Sequence, residues 1–211
     1  YDGSGKTGTT CHSNIVVNNY IISQFSSTDW GYCNRSFIDI NTNEVVLSED
    51  FGAGAGVALH RQIQYGNYYY SFNWVVGTGI TFTYTNFTGG LSTLGAGSVL
   101  YADINAAAAS RLFDVIYYPN TSQFFIAYNN NAGGISCKSF TINTGTGAVT
   151  TVNTNVIAEV AAKGLSIGSA KNNIYAAWGK AGTGTRIRCY DTALTAVYTN
   201  TLSAGEPTAV A

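Results

Sequence analysis

Short apolar stretches of Ile, Val, Tyr, Phe and Thr alternate with clusters of Gly and Asn along nearly the whole chain. That pattern predicts β-strands joined by tight turns, not helices. The one helix-friendly run, Ala106 to Ala109, is four residues long. Four aromatic strands align, at residues 20–25, 69–72, 125–128 and 175–178. Each closes on an aromatic residue, at positions 25, 72, 128 and 178, spaced by 47, 56 and 50 residues. A polar or Gly-rich turn follows each, and then a second strand: 32–40, 80–84, 135–142 and 186–190.

A third strand is legible at 45–47, 148–152 and 196–199, and an apolar strand precedes the aromatic one at 56–59, 111–117 and 164–167. Two of the second strands close alike, on Ile40-Asn41-Thr42-Asn43 and Ile142-Asn143-Thr144-Gly145, both turn signals. Four strands in roughly 50 residues is the grammar of a propeller blade. The expected fold is therefore all-β: a single β-propeller-like domain over 1–211, with repeats at 1–55, 56–110, 111–163 and 164–211. Its blades have four antiparallel strands. A β-sandwich is the competing fold. The chain's last residues, Pro207-Thr208-Ala209-Val210-Ala211, read as the first strand of another blade, and Tyr1-Asp2-Gly3-Ser4-Gly5 as the turn after such a strand. Either the last strand closes the ring onto the first blade, or the chain is a piece of a larger propeller; the second is expected.

Composition narrows the function. Hydrophobic residues make up 45% of the chain and charged residues only 10%, so a sizeable core forms and solubility rests on Asn, Thr, Ser and Gly. The net charge of -1 gives no cationic field for phosphates, which argues against nucleic-acid binding and against an anionic membrane surface. No apolar run reaches the length of a membrane span, so no membrane insertion is expected. The balance suits a virion or extracellular setting. The three N-x-S/T sequons, at Asn34, Asn86 and Asn120, matter there if the host glycosylates. Cys11, Cys33, Cys137 and Cys189 are too sparse for a disulfide scaffold and lack metal spacing. Counted from the strand ends, the last three fall on one strand face and are expected to be buried thiols. Cys11 with Cys33 is the one pairing the repeat leaves open.

Candidate chemistry is thin. His12 and His60 have no metal-ligand spacing and no nucleophile motif beside them, so no catalytic residue, no metal and no cofactor is expected. A glycosidase needs two carboxylates about 5–10 Å apart, and Asp29, Asp39, Asp103, Asp114 and Asp191 are the acids to be placed. Gly52-Ala53-Gly54-Ala55-Gly56 lacks the lysine of a phosphate loop and reads as a link. The closing aromatics Phe25, Phe72, Tyr128 and Trp178 are expected in the core. Candidates for ligand stacking are Trp30 and Trp74, at turns, and Tyr68 and Tyr70, alternate residues of a Tyr run. Aromatic faces beside Asn and Thr suit sugars.

The stretch Phe113-Asp114-Val115-Ile116-Tyr117-Tyr118-Pro119-Asn120-Thr121-Ser122-Gln123-Phe124-Phe125-Ile126-Ala127-Tyr128 resembles a repeat of phage tail and virion structural proteins. The likeness covers residues 111–200 well and 1–110 poorly. It implies a propeller-like module of a virion appendage and brings no catalytic residues. The function expected on these grounds is a non-catalytic virion or extracellular attachment module. It would present loops to a host glycan or receptor within a larger assembly of virion or surface proteins. A secreted propeller lectin is the first alternative; a polysaccharide hydrolase or lyase on a propeller is the second.

Overall fold

The computed structural model describes residues 10–27, 32–51, 57–75, 77–88, 91, 98–104, 112–161 and 164–201. Among them are four antiparallel sheets of four strands, every strand hydrogen-bonded to its sequence neighbour. The chain divides into two compact units, Tyr1–Ala102 and Asp103–Ala211. In the first unit, one sheet holds β1 (Thr10–Val17), β2 (Tyr20–Ser27), β3 (Tyr32–Asp39) and β4 (Val45–Phe51). The other holds β5 (Val57–Tyr65), β6 (Tyr68–Val75), β7 (Gly79–Asn86) and β8 (Ser98–Tyr101). In the second unit the sheets are β9 (Phe113–Tyr118), β10 (Gln123–Asn129), β11 (Ile135–Ile142), β12 (Val149–Ile157), and β13 (Leu165–Ala170), β14 (Asn173–Lys180), β15 (Gly184–Tyr190), β16 (Ala196–Thr201). Each sheet shifts register once between its third and fourth strands, at Phe37/Ile38, Ile80/Thr81, Ser139/Phe140 and Cys189/Tyr190. Such irregularities bend and twist the outer edge of a sheet.

The similar turn signals make similar turns. Asp39 N–H donates to Glu44 O and Asn43 N–H to Asp39 O; Asn143 N–H donates to Ala148 O and Gly147 N–H to Asn143 O. The residue that turns the corner is left-handed in both, Asn43 at φ 58° and Gly147 at φ 71°. Asn and Gly are the residues that tolerate this conformation.

Within each unit the two sheets stack with their first strands adjacent, β1 beside β5 and β9 beside β13. The seam of the second unit is apolar: Phe125, Ala127, Ile135 and Cys137 of one sheet meet Leu165, Ile174, Ala176, Trp178 and Tyr190 of the other. The seam of the first unit has two layers. Val17, Ile22, Phe37, Tyr69 and Phe87 form an apolar one. Beside it runs a buried polar layer that follows the register Ser13, Gln24, Arg35, Glu49 across the first sheet. Ser13 Oγ lies 2.6 Å from His60 Nε2, Gln24 bonds Asn73, Ser71 and Tyr69, and Arg35 bonds Glu49 at 2.8 Å and Thr83 at 3.2 Å.

That layer has a pH consequence. Burial, then the charges of Arg61, His12 and Arg35, lower the His60 pKa from 6.5 to about 4. Between those values the unfolded chain binds more protons than the folded one. Stability therefore falls as pH drops from 6.5 toward 4, by up to about 3 kcal/mol. Denaturation midpoints at pH 7 and pH 4.5 check this. The difference is expected to shrink in His60→Gln, and an unchanged acid sensitivity in that variant refutes it.

Several expectations need correction. Cys11 and Cys33 face the same residue, Ser26, from opposite sides of β2. Their Cα atoms are thus two strand spacings apart, about 10 Å, beyond the roughly 7 Å that a disulfide spans. Cys137 and Cys189 are free, buried thiols, as expected. Trp178 is buried in the seam and Phe72 is buried on the face of its sheet turned away from β1–β4, stacked with Tyr70 and Phe82, so both are core residues as expected. Phe25 is only half-buried. The Ala106–Ala109 run and the Gly52–Gly56 segment lie outside the described residues.

Candidate functional site

In the second unit, Phe113, Tyr128, Ser136 and Val156 lie in one row near the ends of their strands, as do Leu165, Trp178, Arg186 and Thr201. A carboxylate stands ahead of each of these sheets' first strands. Asp103, ahead of β9, accepts a 2.7 Å hydrogen bond from Tyr128 Oη and holds Lys138 Nζ at 3.4 Å. Glu159, between β12 and β13, accepts from the Trp178 indole N–H at 3.2 Å and holds Lys180 Nζ at 3.2 Å. Tyr128 and Trp178 are equivalent positions: each pairs with the first residue of its sheet's first strand. These two closing aromatics therefore do more than fill space. Each presents a polar atom to an acid in the link of its own sheet, and a lysine completes the group.

The two carboxylates remain reachable. The Asp103 side chain is 45% exposed and that of Glu159 is 24% exposed. Burial alone would raise the Glu159 carboxyl. Hydrogen bonds from Lys180 and Trp178, with the Arg186 charge, outweigh it and hold the group below the ordinary glutamate range. Glu159 is accordingly ionised at neutral pH. Asp114, on β9, accepts from Ile167 N–H at 2.9 Å and Ser166 Oγ at 3.1 Å. It staples the two first strands together. Asp39 and Asp191 cap their own turns through Asn41 N–H, and Ala193 and Thr195 N–H, respectively. Asp29 lies outside the described residues.

Two of the four ligand-stacking candidates are core residues. Trp74 is 1% and Tyr70 2% exposed, so neither offers a ring face to a sugar. Tyr70 belongs to an aromatic ladder with Tyr68, Phe72, Phe82 and Tyr84, in which Tyr68 is half-buried. Trp30 lies outside the described residues. Glu159 is invisible to sequence reasoning because it stands in a bland stretch, Val156-Ile157-Ala158-Glu159-Val160, with no motif around it. Its partner Trp178 is visible, but only as a core residue. Among the described residues no three of His, Cys, Asp and Glu gather as a metal site, and no helix is long and apolar enough to cross a membrane.

No family model and no curated protein matches the sequence. The fold does match solved structures, and they are β-propellers. Trypanosoma rangeli sialidase is similar at a TM-score of 0.56 and 8% identity, over 90% of this chain and 38% of that one. A candidate 6-phosphogluconolactonase from Bacteroides fragilis is similar at 0.59 and 16%, over 99% and 59%. The exo-β-1,3-galactanase of Phanerochaete chrysosporium is similar at 0.53 and 12%, over 90% and 49%. The chain spans less than two thirds of the length of each. It is an all-β protein of the β-propeller fold, with four sheets of four antiparallel strands. These neighbours are enzymes, and they overturn the expectation of a non-catalytic attachment module.

Proposed function

We propose that the protein is a propeller hydrolase acting on a carbohydrate or sugar-derived substrate, with Asp103 and Glu159 as its acidic pair. The observation that carries this reading is the matched grouping at one end of adjacent sheets: an acid in the entry link, an aromatic donor and a lysine. The fold it shares with a sialidase and a galactanase supports it. Hydrolysis of a glycosidic bond asks for one carboxylate that takes a proton from water or attacks carbon, and a second acidic group that protonates the leaving oxygen. Glu159, held ionised, fits the first task. Asp103, the other carboxylate at this end of the sheets, is given the second. The lysines and the aromatic donors keep both side chains in place, and each carboxylate stays partly exposed.

The test is turnover of a panel of aryl glycosides, oligosaccharides and sugar lactones by the full chain, followed by product chromatography. Release of a sugar from at least one substrate is expected, and lost in Asp103→Asn. An inert panel sinks the reading. An extracellular location accompanies it: the sequons Asn86 and Asn120 are exposed, whereas Asn34 lies within a sheet, bonded to Ser48. Peptide mass mapping after expression in a glycosylating secretory host is expected to find glycan on Asn86 and Asn120. Both sites bare would count against that location.

A further inference from the structure

The last sheet gathers positive charge in a chain that has little charge of any kind. Of ten lysines and arginines, three stand together on it: Lys180 on β14, and Arg186 and Arg188 on β15. In register, Trp178 faces Arg186 and Ala176 faces Arg188, and Lys180 follows Trp178 by two residues. Directly paired residues share a face of a sheet, and so do residues two apart along a strand. Trp178 and Ala176 lie in the seam with the β9–β12 sheet, so all three cations line that seam. Each is half-buried. Thr201 and Thr199 continue the two rows on β16, and Thr199 Oγ1 accepts from Arg188 Nε at 2.8 Å. The facing wall is β12, whose Asn155 Oδ1 accepts from Tyr190 Oη at 3.3 Å.

These cations outnumber their counter-charges. Among the described residues, Lys180 has a carboxylate partner, Glu159, and neither Arg186 nor Arg188 has one. Arg186 lies close enough to Glu159 for its charge to act on that carboxyl. Three cations against one carboxylate leave two positive charges on the wall. Arg186 and Arg188 sit two residues apart on one strand face, about 7 Å, where like charges repel. Arg186 Nε, in addition, is shut off from water and meets no hydrogen-bond acceptor among the described residues. A buried donor left in that state costs its full desolvation. An anion held by the two guanidinium groups removes both costs. It supplies the missing acceptor and turns a repulsion into two attractions. Carboxylate and phosphate oxygens match the arginine fork two at a time.

We propose that Lys180, Arg186 and Arg188 form an anion-recognition wall beside Glu159, and that the sugar bound there carries a carboxylate or a phosphate. The sugar in that statement rests on the hydrolase reading; the anion does not. The test is a proton–nitrogen NMR titration of the full chain with glucuronate, glucose 6-phosphate and glucose at constant ionic strength. It is followed at the Trp178 indole N–H and the β15 amides. At least one anionic sugar is expected to shift these signals and to bind about tenfold or more tighter than glucose. Which of the two binds better separates a carboxylate from a phosphate. Arg186→Gln and Arg188→Gln are each expected to remove most of that preference, and Arg186→Lys, which keeps the charge but loses the fork, to restore only part of it. The proposal is overturned by equal binding of glucose and both anionic sugars, by binding of none, or by a preference that survives both glutamine variants. The wild-type comparison decides by itself if a variant does not fold. An anion preference without turnover on any substrate would leave this wall in place and remove the hydrolase. Turnover of neutral sugars without an anion preference would do the reverse.

Discussion

Trp178→Ala is expected to destabilise the protein by about 3–5 kcal/mol, the upper range for a single truncation in a packed core. Trp178 is fully buried and occupies the seam between the sheets of the second unit, against Phe125, Ala127, Ile135 and Cys137. Its removal loses the transfer energy of a tryptophan, the largest kind of side chain, and leaves a cavity that two facing sheets cannot close. It also takes the indole donor from Glu159. Urea denaturation measures the loss, with the steepness of the transition expected to stay the same. A change below about 1 kcal/mol would mean that the seam is not packed as described.

The second large effect is on rate. Glu159→Gln keeps the size of the side chain and an oxygen for the Trp178 indole, but removes the charge. If Glu159 supplies the base or nucleophile, kcat/KM is expected to fall by about 10²–10⁴. Stability should change by no more than about 1 kcal/mol, because the pair with Lys180 is partly open to solvent. The two variants thus separate the two roles of this end of the sheet. Trp178→Ala tests packing and Glu159→Gln tests chemistry, and Glu159→Gln is expected to be mild in stability where Trp178→Ala is severe. A large loss of stability in Glu159→Gln would make the group a structural latch and nothing more.

Repetition made the fold legible. The aromatic strands became β2, β6, β10 and β14; β6 and β10 are buried on both faces and β2 and β14 mainly on one, and burial selects large β-formers. The strands that escaped notice were β1 and β8. Thr10–Val17 is TCHSNIVV, half of it polar; Val17 reaches the apolar layer, but Ser13 lies in the polar one against His60. Ser98–Tyr101 is four residues long and borders a long Gly-rich stretch. Edge strands face solvent and need little apolar pattern; β16 is exposed throughout.

The site was less legible. Asp103 and Asp114 were among the acids named, but which acids approach one another depends on links whose residues carry no periodic signal. Trp74 and Tyr70 misled for the opposite reason. Alternation predicts that one face of a strand meets water, but β6 is buried on both faces, so the aromatic ladder there is core. What made tyrosine look like a sugar platform, an apolar body with a polar tip, equally suits it to a seam where its hydroxyl finds a partner, as Tyr69 finds Gln24.

The most direct measurement is the pH dependence of kcat/KM for the wild type and Glu159→Gln on the best substrate. A working carboxylate at Glu159 places the acid limb of the wild type below the ordinary glutamate value of 4.5, and that limb disappears when the charge is removed. An acid limb at or above that value, or one that persists unchanged in Glu159→Gln, would contradict it.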